Sequence, residues 1–274
     1  MRTVLFVAAL VSVFAGCLLY WRWKNDSSGD VASIAGQEAT LGAGNAQSNR
    51  TRVLVGPGEP TRGAAEPVVT LIEFCDFRTP ACKRTARTLF EAVLAYPNDV
   101  RVVFKPRPTT GDAESMTAAE AALAAQEQGK FWEMHDALFL DSDRLDRAAI
   151  EDKARRLGLD LTRFRAALDG HTCMPAIEAS TAYASKVGVD SVPALFLNGL
   201  RIEDASQPFV HLKPRIEAEI KRARSHGAEK GVAGVELYRE LMRAARPYSP
   251  RPADAGVTGS AAAVVQPASA PSPR

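Results

Sequence analysis

The stretch EFCDFRTPACKR, residues 73–84, brings two thiols, a carboxylate and a hydroxyl close together: Glu73, Cys75, Thr79 and Cys82. Sulfur chemistry begins with a thiolate attacking another sulfur or an oxidant. A cysteine at the first position of a helix is suited to this, because backbone N–H groups and the helix dipole stabilise its anion. A second cysteine three residues later, as in C-x-x-C, completes exchange within the chain. In Thr79-Pro80-Ala81-Cys82 the first of those places holds threonine, which forms neither an anion nor a disulfide. Its hydroxyl can accept a hydrogen bond from the N–H of Ala81 or Cys82, and Pro80 suits the first helical position, so the segment predicts a sound helix start. Cys82 is then expected to be a small buried hydrophobe with an inert thiol. A second possibility stays open. Strand alternation puts Val69, Leu71, Glu73 and Cys75 on one face. Cys75 could then lie on the side that faces Cys82, and a Cys75–Cys82 disulfide would need Cα atoms within about 7 Å.

The chain has four cysteines, of which Cys17 lies in an N-terminal apolar run and three lie in the folded part. An odd number leaves one thiol over, and Cys173 is expected to be the free one. His135 sits among aromatic residues in KFWEMHDALF and is expected to be structural. His171, His211 and His226 have no spacing with cysteine or aspartate that suggests a metal. Asp141, Asp143 and Asp146 form a solvated cluster, because the glycine and terminal glutamate of a calcium loop are missing. No phosphate-binding or dinucleotide fingerprint occurs, and no cofactor is implied.

These residues sit in a chain of 274 residues with 34 basic against 32 acidic side chains, a net charge of +2. That balance supplies no long-range field for nucleic acid. Residues 3–21, TVLFVAALVSVFAGCLLYW, carry no charge and are followed by Arg22 and Lys24. A bilayer core takes about 20 residues of helix, and the flanking aromatics suit an interface. Residues 1–24 therefore predict a retained membrane anchor. The competing reading is a lipoprotein-type signal with FAGC as lipobox and Cys17 lipidated. Residues 25–50, rich in Gly, Ala, Ser, Asn and Asp, predict a flexible linker, and the Pro-, Ala- and Ser-rich residues 249–274 a disordered tail.

Between these ends the elements alternate. Val53–Val55 is a strand candidate. Val68–Phe74 is apolar on both faces, as a buried central strand requires. Pro80–Tyr96 is a helix with Cys82, Ala86, Leu89, Phe90, Val93 and Leu94 as its apolar face. Val100–Lys105 is a strand parallel to the earlier one. Helices follow over 114–128, 131–140, 148–157, 161–168 and 175–187. Asn198-Gly199 between two apolar runs is a hairpin signal, and a helix covers about 208–224. Residues 233–245 are amphipathic and predict a helix that packs on the domain. The sum is an α/β domain over 51–225 with a helical insert at about 112–170, then a C-terminal helix within 226–248.

The chain resembles the DsbA family of thiol–disulfide oxidoreductases, envelope proteins with a thioredoxin-like fold and a helical insertion. VTLIEFCDFRTPACKR resembles the strand, turn and helix around that family's active site. GKFWEMHDALF resembles part of its insert, and GVDSVPALFLNG its cis-proline loop and hairpin. The resemblance implies that Cys82 stands at the second, resolving cysteine, Thr79 at the nucleophilic first one, and Glu73 at the buried acid that exchanges a proton with the second. It implies a cis bond at Val192-Pro193 and a loop there that presents backbone groups to an extended peptide or protein partner. Loss of the first cysteine implies a degenerate active site on a domain held at the bacterial envelope and facing the periplasm or exterior. The T-x-x-C pattern is also similar to that around the peroxidatic cysteine of peroxiredoxins, although their proline precedes the threonine. The alternative is therefore an enzyme that uses Cys82, with or without Cys75.

Overall fold

The computed structural model describes residues 49–249. The first strand, β1 (Thr61–Gly63), is followed by β2 (Val69–Cys75), α1 (Pro80–Ala95) and β3 (Val100–Pro106). Four helices come next: α2 (Ala113–Gln126), α3 (Phe131–Leu140), α4 (Arg147–Arg156) and α5 (Leu161–Asp169). The chain returns through α6 (Met174–Lys186) to β4 (Ala194–Leu197) and β5 (Leu200–Ile202), then ends in α7 (Phe209–Lys230) and α8 (Gly234–Ala244). The sheet order is β1-β3-β2-β4-β5. β2 and β3 are parallel and every other neighbouring pair is antiparallel. This is a thioredoxin-like α/β fold with a helical insertion between β3 and α6.

Both central strands are buried along their whole length, and most of their residues are apolar, as strands covered on both faces require. On one sheet face Val69 and Leu71 meet Leu89 and Ala92 of α1 and Leu212 and Ile216 of α7. On the other, Ile72, Phe74 and Val103 meet Ala184 of α6 and Leu237 and Leu241 of α8. α8 thus packs on the domain, as its pattern predicts. The hairpin turn places Asn198 at φ 45° and Gly199 at φ 84°, the left-handed pair that Asn-Gly supplies at low strain. Asn198 is also buried, and its side-chain amide donates to Val68 O and to Glu219 Oε1. Glu219 in turn holds Arg50 at 2.9 Å, with both side chains fully enclosed.

Several expectations are corrected. Residues 53–55 form no strand. Val53 is buried, but its carbonyl accepts from the Tyr238 hydroxyl, and Leu54 N donates 2.6 Å to Tyr183 Oη. Side-chain partners replace a ladder there. The edge strand beside β3 is β1, whose sequence TRG has no apolar alternation to announce it. The buried face of α1 consists of Cys82, Thr85, Thr88, Leu89 and Ala92, while Phe90 and Leu94 are exposed. The phase shifts because two threonines turn inward and donate their hydroxyls, Thr85 to Ala205 O at 3.0 Å and Thr88 to Gln207 O at 2.8 Å. α7 continues past Arg224 to Lys230 and ends on Gly231 at φ 67°. Among the described residues no helix is long and apolar enough to cross a membrane. The predicted anchor, Cys17 and nearly all of the linker and the tail lie outside the described residues; Arg50, the last residue of the predicted linker, is instead buried against Glu219 and belongs to the domain.

Candidate functional site

The C-terminal end of β2 and the first turn of α1 bring Cys75 and Cys82 together as a disulfide with Cα atoms 5.6 Å apart. Of the two possibilities left open by the sequence, pairing is therefore the one observed, and the expectation of an inert free thiol at Cys82 is corrected. Alternation along β2 is the cause: Cys75 faces the same side as Glu73, and α1 crosses that side. The pair is not presented to solvent, since Cys75 is 1% exposed and Cys82 0%. Phe77, Phe104, Leu138 and Phe139 lie in the same apolar cluster, so the cystine sits where the insert meets the sheet.

Thr79 is the N-cap of α1, with Pro80 next, but its side chain makes no capping hydrogen bond. The expected hydroxyl cap is absent, and the backbone closes the turn through Cys82 N donating to Thr79 O at 2.9 Å. The carboxylate that organises this turn is Asp76, which the sequence reading passed over. Oδ2 of Asp76 accepts from Thr109 N at 3.0 Å, Thr109 Oγ1 at 2.5 Å and Ser115 Oγ at 2.9 Å. Oδ1 accepts from Arg78 N at 3.0 Å. Asp76 N itself donates to Cys82 Sγ at 3.3 Å. One buried aspartate thus ties the cystine turn to the start of α2. Its signal in the sequence was its place between the apolar residues Cys75 and Phe77, where a buried acid must be fully hydrogen-bonded.

Glu73 is buried at 1% exposure. Desolvation pushes its carboxyl up to about 8, against a smaller downward pull from Arg62 and a smaller upward push from Asp136. Its Oε2 has no hydrogen-bond partner, which suits a neutral acid better than a carboxylate. Beside it, Arg62 stacks on Trp132 at 4.4 Å and pairs with Asp136 at 2.7 Å. His135 is enclosed by Phe77, Phe104, Phe131, Trp132 and Phe139. Burial holds its imidazole below the usual histidine range, opposed by a hydrogen bond to Asp136. His135 is a core residue, as its setting predicts.

Val192-Pro193 is a cis peptide bond. The loop precedes β4, and Val192 packs against the cluster that contains the cystine. Arg107, just after β3, ties the loop down by donating to Asp190 O at 3.0 Å. Cys173 is free and buried at the N-cap of α6, and burial pushes its thiol up. Among the described residues no group of histidine, cysteine and acidic side chains is arranged to hold a metal.

A family profile described as thioredoxin matches residues 56–217. The chain belongs to the thioredoxin family. Its DsbA-like form, with helices inserted between β3 and α6, is that of its solved neighbours. A thioredoxin-like oxidoreductase from Silicibacter pomeroyi is 30% identical, with 62% of this chain and 94% of that one covered and a TM-score of 0.55. A periplasmic thioredoxin-like protein from Salmonella enterica serovar Typhimurium is 26% identical, with the same coverage of 62% and 94% and a TM-score of 0.52. Among curated relatives, the Na(+)/H(+) antiporter NhaA 3 of Salinispora tropica is 36% identical over 176 residues. That match covers 59% of this chain but 27% of the antiporter, so this thioredoxin-family chain corresponds to about a quarter of that relative's length.

Proposed function

We propose that this chain is a membrane-tethered, envelope-facing DsbA-family protein that has lost dithiol exchange and keeps a peptide- or protein-holding surface beside Val192 and Pro193. The observation that carries the reading is the state of the sulfurs. Threonine stands at the N-cap of α1, where the resemblance places the attacking cysteine, and the two sulfurs nearby are joined and enclosed. An incoming thiolate needs access to a sulfur and a good leaving group, and neither is offered at the surface. The uncharged run at residues 3–21 supports the tether, and the periplasmic Salmonella neighbour supports the compartment.

Insulin reduction by the full chain is the test. The wild type is expected to match the buffer rate. Thr79→Cys in a Cys75→Ala background recreates C-P-A-C and is expected to raise turnover above it. Wild-type turnover that disappears in Cys82→Ser overturns the reading. The surface is tested by fluorescence anisotropy with a labelled unfolded peptide. Binding is expected to weaken in Val192→Asp, and no binding by the wild type removes that part of the proposal.

One observation favours a second reading. Cys75 and Cys82 are within bonding reach, so an altered redox pair, or Cys82 acting as a peroxidase-like thiol after reduction, would exchange a proton with the buried acid Glu73. The burial of both sulfurs weighs against it.

A further inference from the structure

On the sheet face opposite the cystine, a cavity of about 340 Å³ lies between the segment 54–57, β3 and α8. Its walls include Leu54, Val55, Pro57 and Val235, with Tyr238 and Met242 behind them. A second hollow of about 430 Å³ adjoins it through Leu54, Arg239 and Met242. Four arginines line the pair of hollows, and three of them have partners. Arg52 donates to Met242 O and Ala245 O, each at 3.0 Å, closing the end of α8. Arg239 pairs with Glu236 at 3.3 Å, and Arg243 pairs with Glu236 and Glu240.

Arg101 differs. It rises from β3 into the cavity wall and is only 8% exposed. Nη2 donates to Thr70 Oγ1 at 3.2 Å, but Nε has no partner. Among the described residues no carboxylate reaches ion-pair distance of it. The carboxylate that acts on it is Glu66, which lies instead at the first residue of α8, against Gly234. Burial pulls the Arg101 guanidinium below the usual arginine range, yet a guanidinium does not give up its proton in a protein. A buried charge without a counter-ion is unfavourable unless something supplies one. Arg239 also lines the cavity but is paired with Glu236; a cavity with apolar walls and a convergent unpaired charge is also the usual form of a small-molecule site.

We propose that this cavity binds a small organic anion, a carboxylate carrying an apolar group, held by Arg101. The guanidinium fork takes the carboxylate, and the walls from Leu54 to Pro57 and Val235 take the apolar part. The site is independent of the redox state of the cystine and of the reading given under Proposed function.

The test titrates the full chain with hexanoate, hexanol and inorganic phosphate, read by calorimetry and by thermal unfolding. Hexanoate is expected to bind saturably and raise Tm, while hexanol and phosphate do neither. Arg101→Met is expected to weaken hexanoate by at least about tenfold, in line with loss of a charge-assisted pair. It should unfold no earlier than the ligand-free wild type, since an uncompensated charge is gone. Val235→Trp, which fills the cavity and keeps Arg101, is expected to abolish binding and serves if Arg101→Met does not fold. Failure of hexanoate to bind, equal binding of hexanol, equal binding of phosphate, or unchanged hexanoate affinity in either folded variant each overturns the proposal.

Discussion

Glu73→Gln isolates the buried acid of β2. The folded carboxyl titrates at about 8 against an ordinary value of 4.5. Between those values the folded chain holds a proton that the unfolded chain has released, so stability falls as pH rises. The contribution is fully present below pH 4.5 and is lost progressively up to about pH 8. At about 1.4 kcal/mol per pH unit, the loss between pH 5 and pH 8 is roughly 3.5 kcal/mol. Glutamine is nearly isosteric and does not titrate. The stability of Glu73→Gln relative to wild type should therefore rise by on the order of 3 kcal/mol from pH 5 to pH 8, then level off. Urea unfolding of both proteins at pH 5, 6.5, 8 and 9 measures it, and comparing the pair cancels every other titrating group. A difference that stays flat with pH, or that moves the opposite way, means that Glu73 is ionised in the fold and refutes the reasoning.

The cystine closes a short loop, with a sequence separation of 7. Loop-closure entropy then assigns it about 2.4 kcal/mol, or roughly 5–10 °C in Tm for a folded part of this size. Thermal scans of Cys75→Ala/Cys82→Ala should show that loss, and thiol titration of the wild type in denaturant should find two fewer thiols before reduction than after. Glu219→Gln leaves the Arg50 guanidinium enclosed without its carboxylate and should destabilise the chain by about 3–5 kcal/mol in denaturant unfolding. Asp76→Ala removes the acceptor for Thr109, Ser115 and Arg78; a loss of about 3 kcal/mol or more is expected. Hydrogen exchange should then speed up in the turn before α1 and at the start of α2. Exchange unchanged at both places would show that Asp76 does not join them.

The sequence exposed what periodicity and turn chemistry control. β2 and β3 were legible because short segments with apolar residues on both faces have few other uses, and Asn198-Gly199 announced its hairpin. Glu73 and Cys75 were placed on one face by alternation alone, which is why a cystine with Cys82 could be foreseen as a possibility. Burial could not be foreseen, because it depends on the insert, whose Leu138 and Phe139 arrive from far along the chain. Thr85 and Thr88 misled the reading of α1, because their hydroxyls are satisfied by carbonyls more than a hundred residues away. Arg101 was invisible for the same reason, and Asp76 showed only as an acid between apolar neighbours: the worth of a buried charged side chain lies in partners that only the fold assembles. β1 escaped notice because an edge strand of three residues needs no apolar pattern.

The sheet's outer strands carry a last implication. β1 spans Thr61–Gly63 and β5 spans Leu200–Ile202, three residues each, and Arg50 already bridges to Leu200. Ribbons so brief give a foreign extended segment little to zip onto. Lateral growth into fibrils or strand-swapped pairs is thereby discouraged, and the holding surface proposed above is confined to the loop before β4 rather than the rim of the sheet.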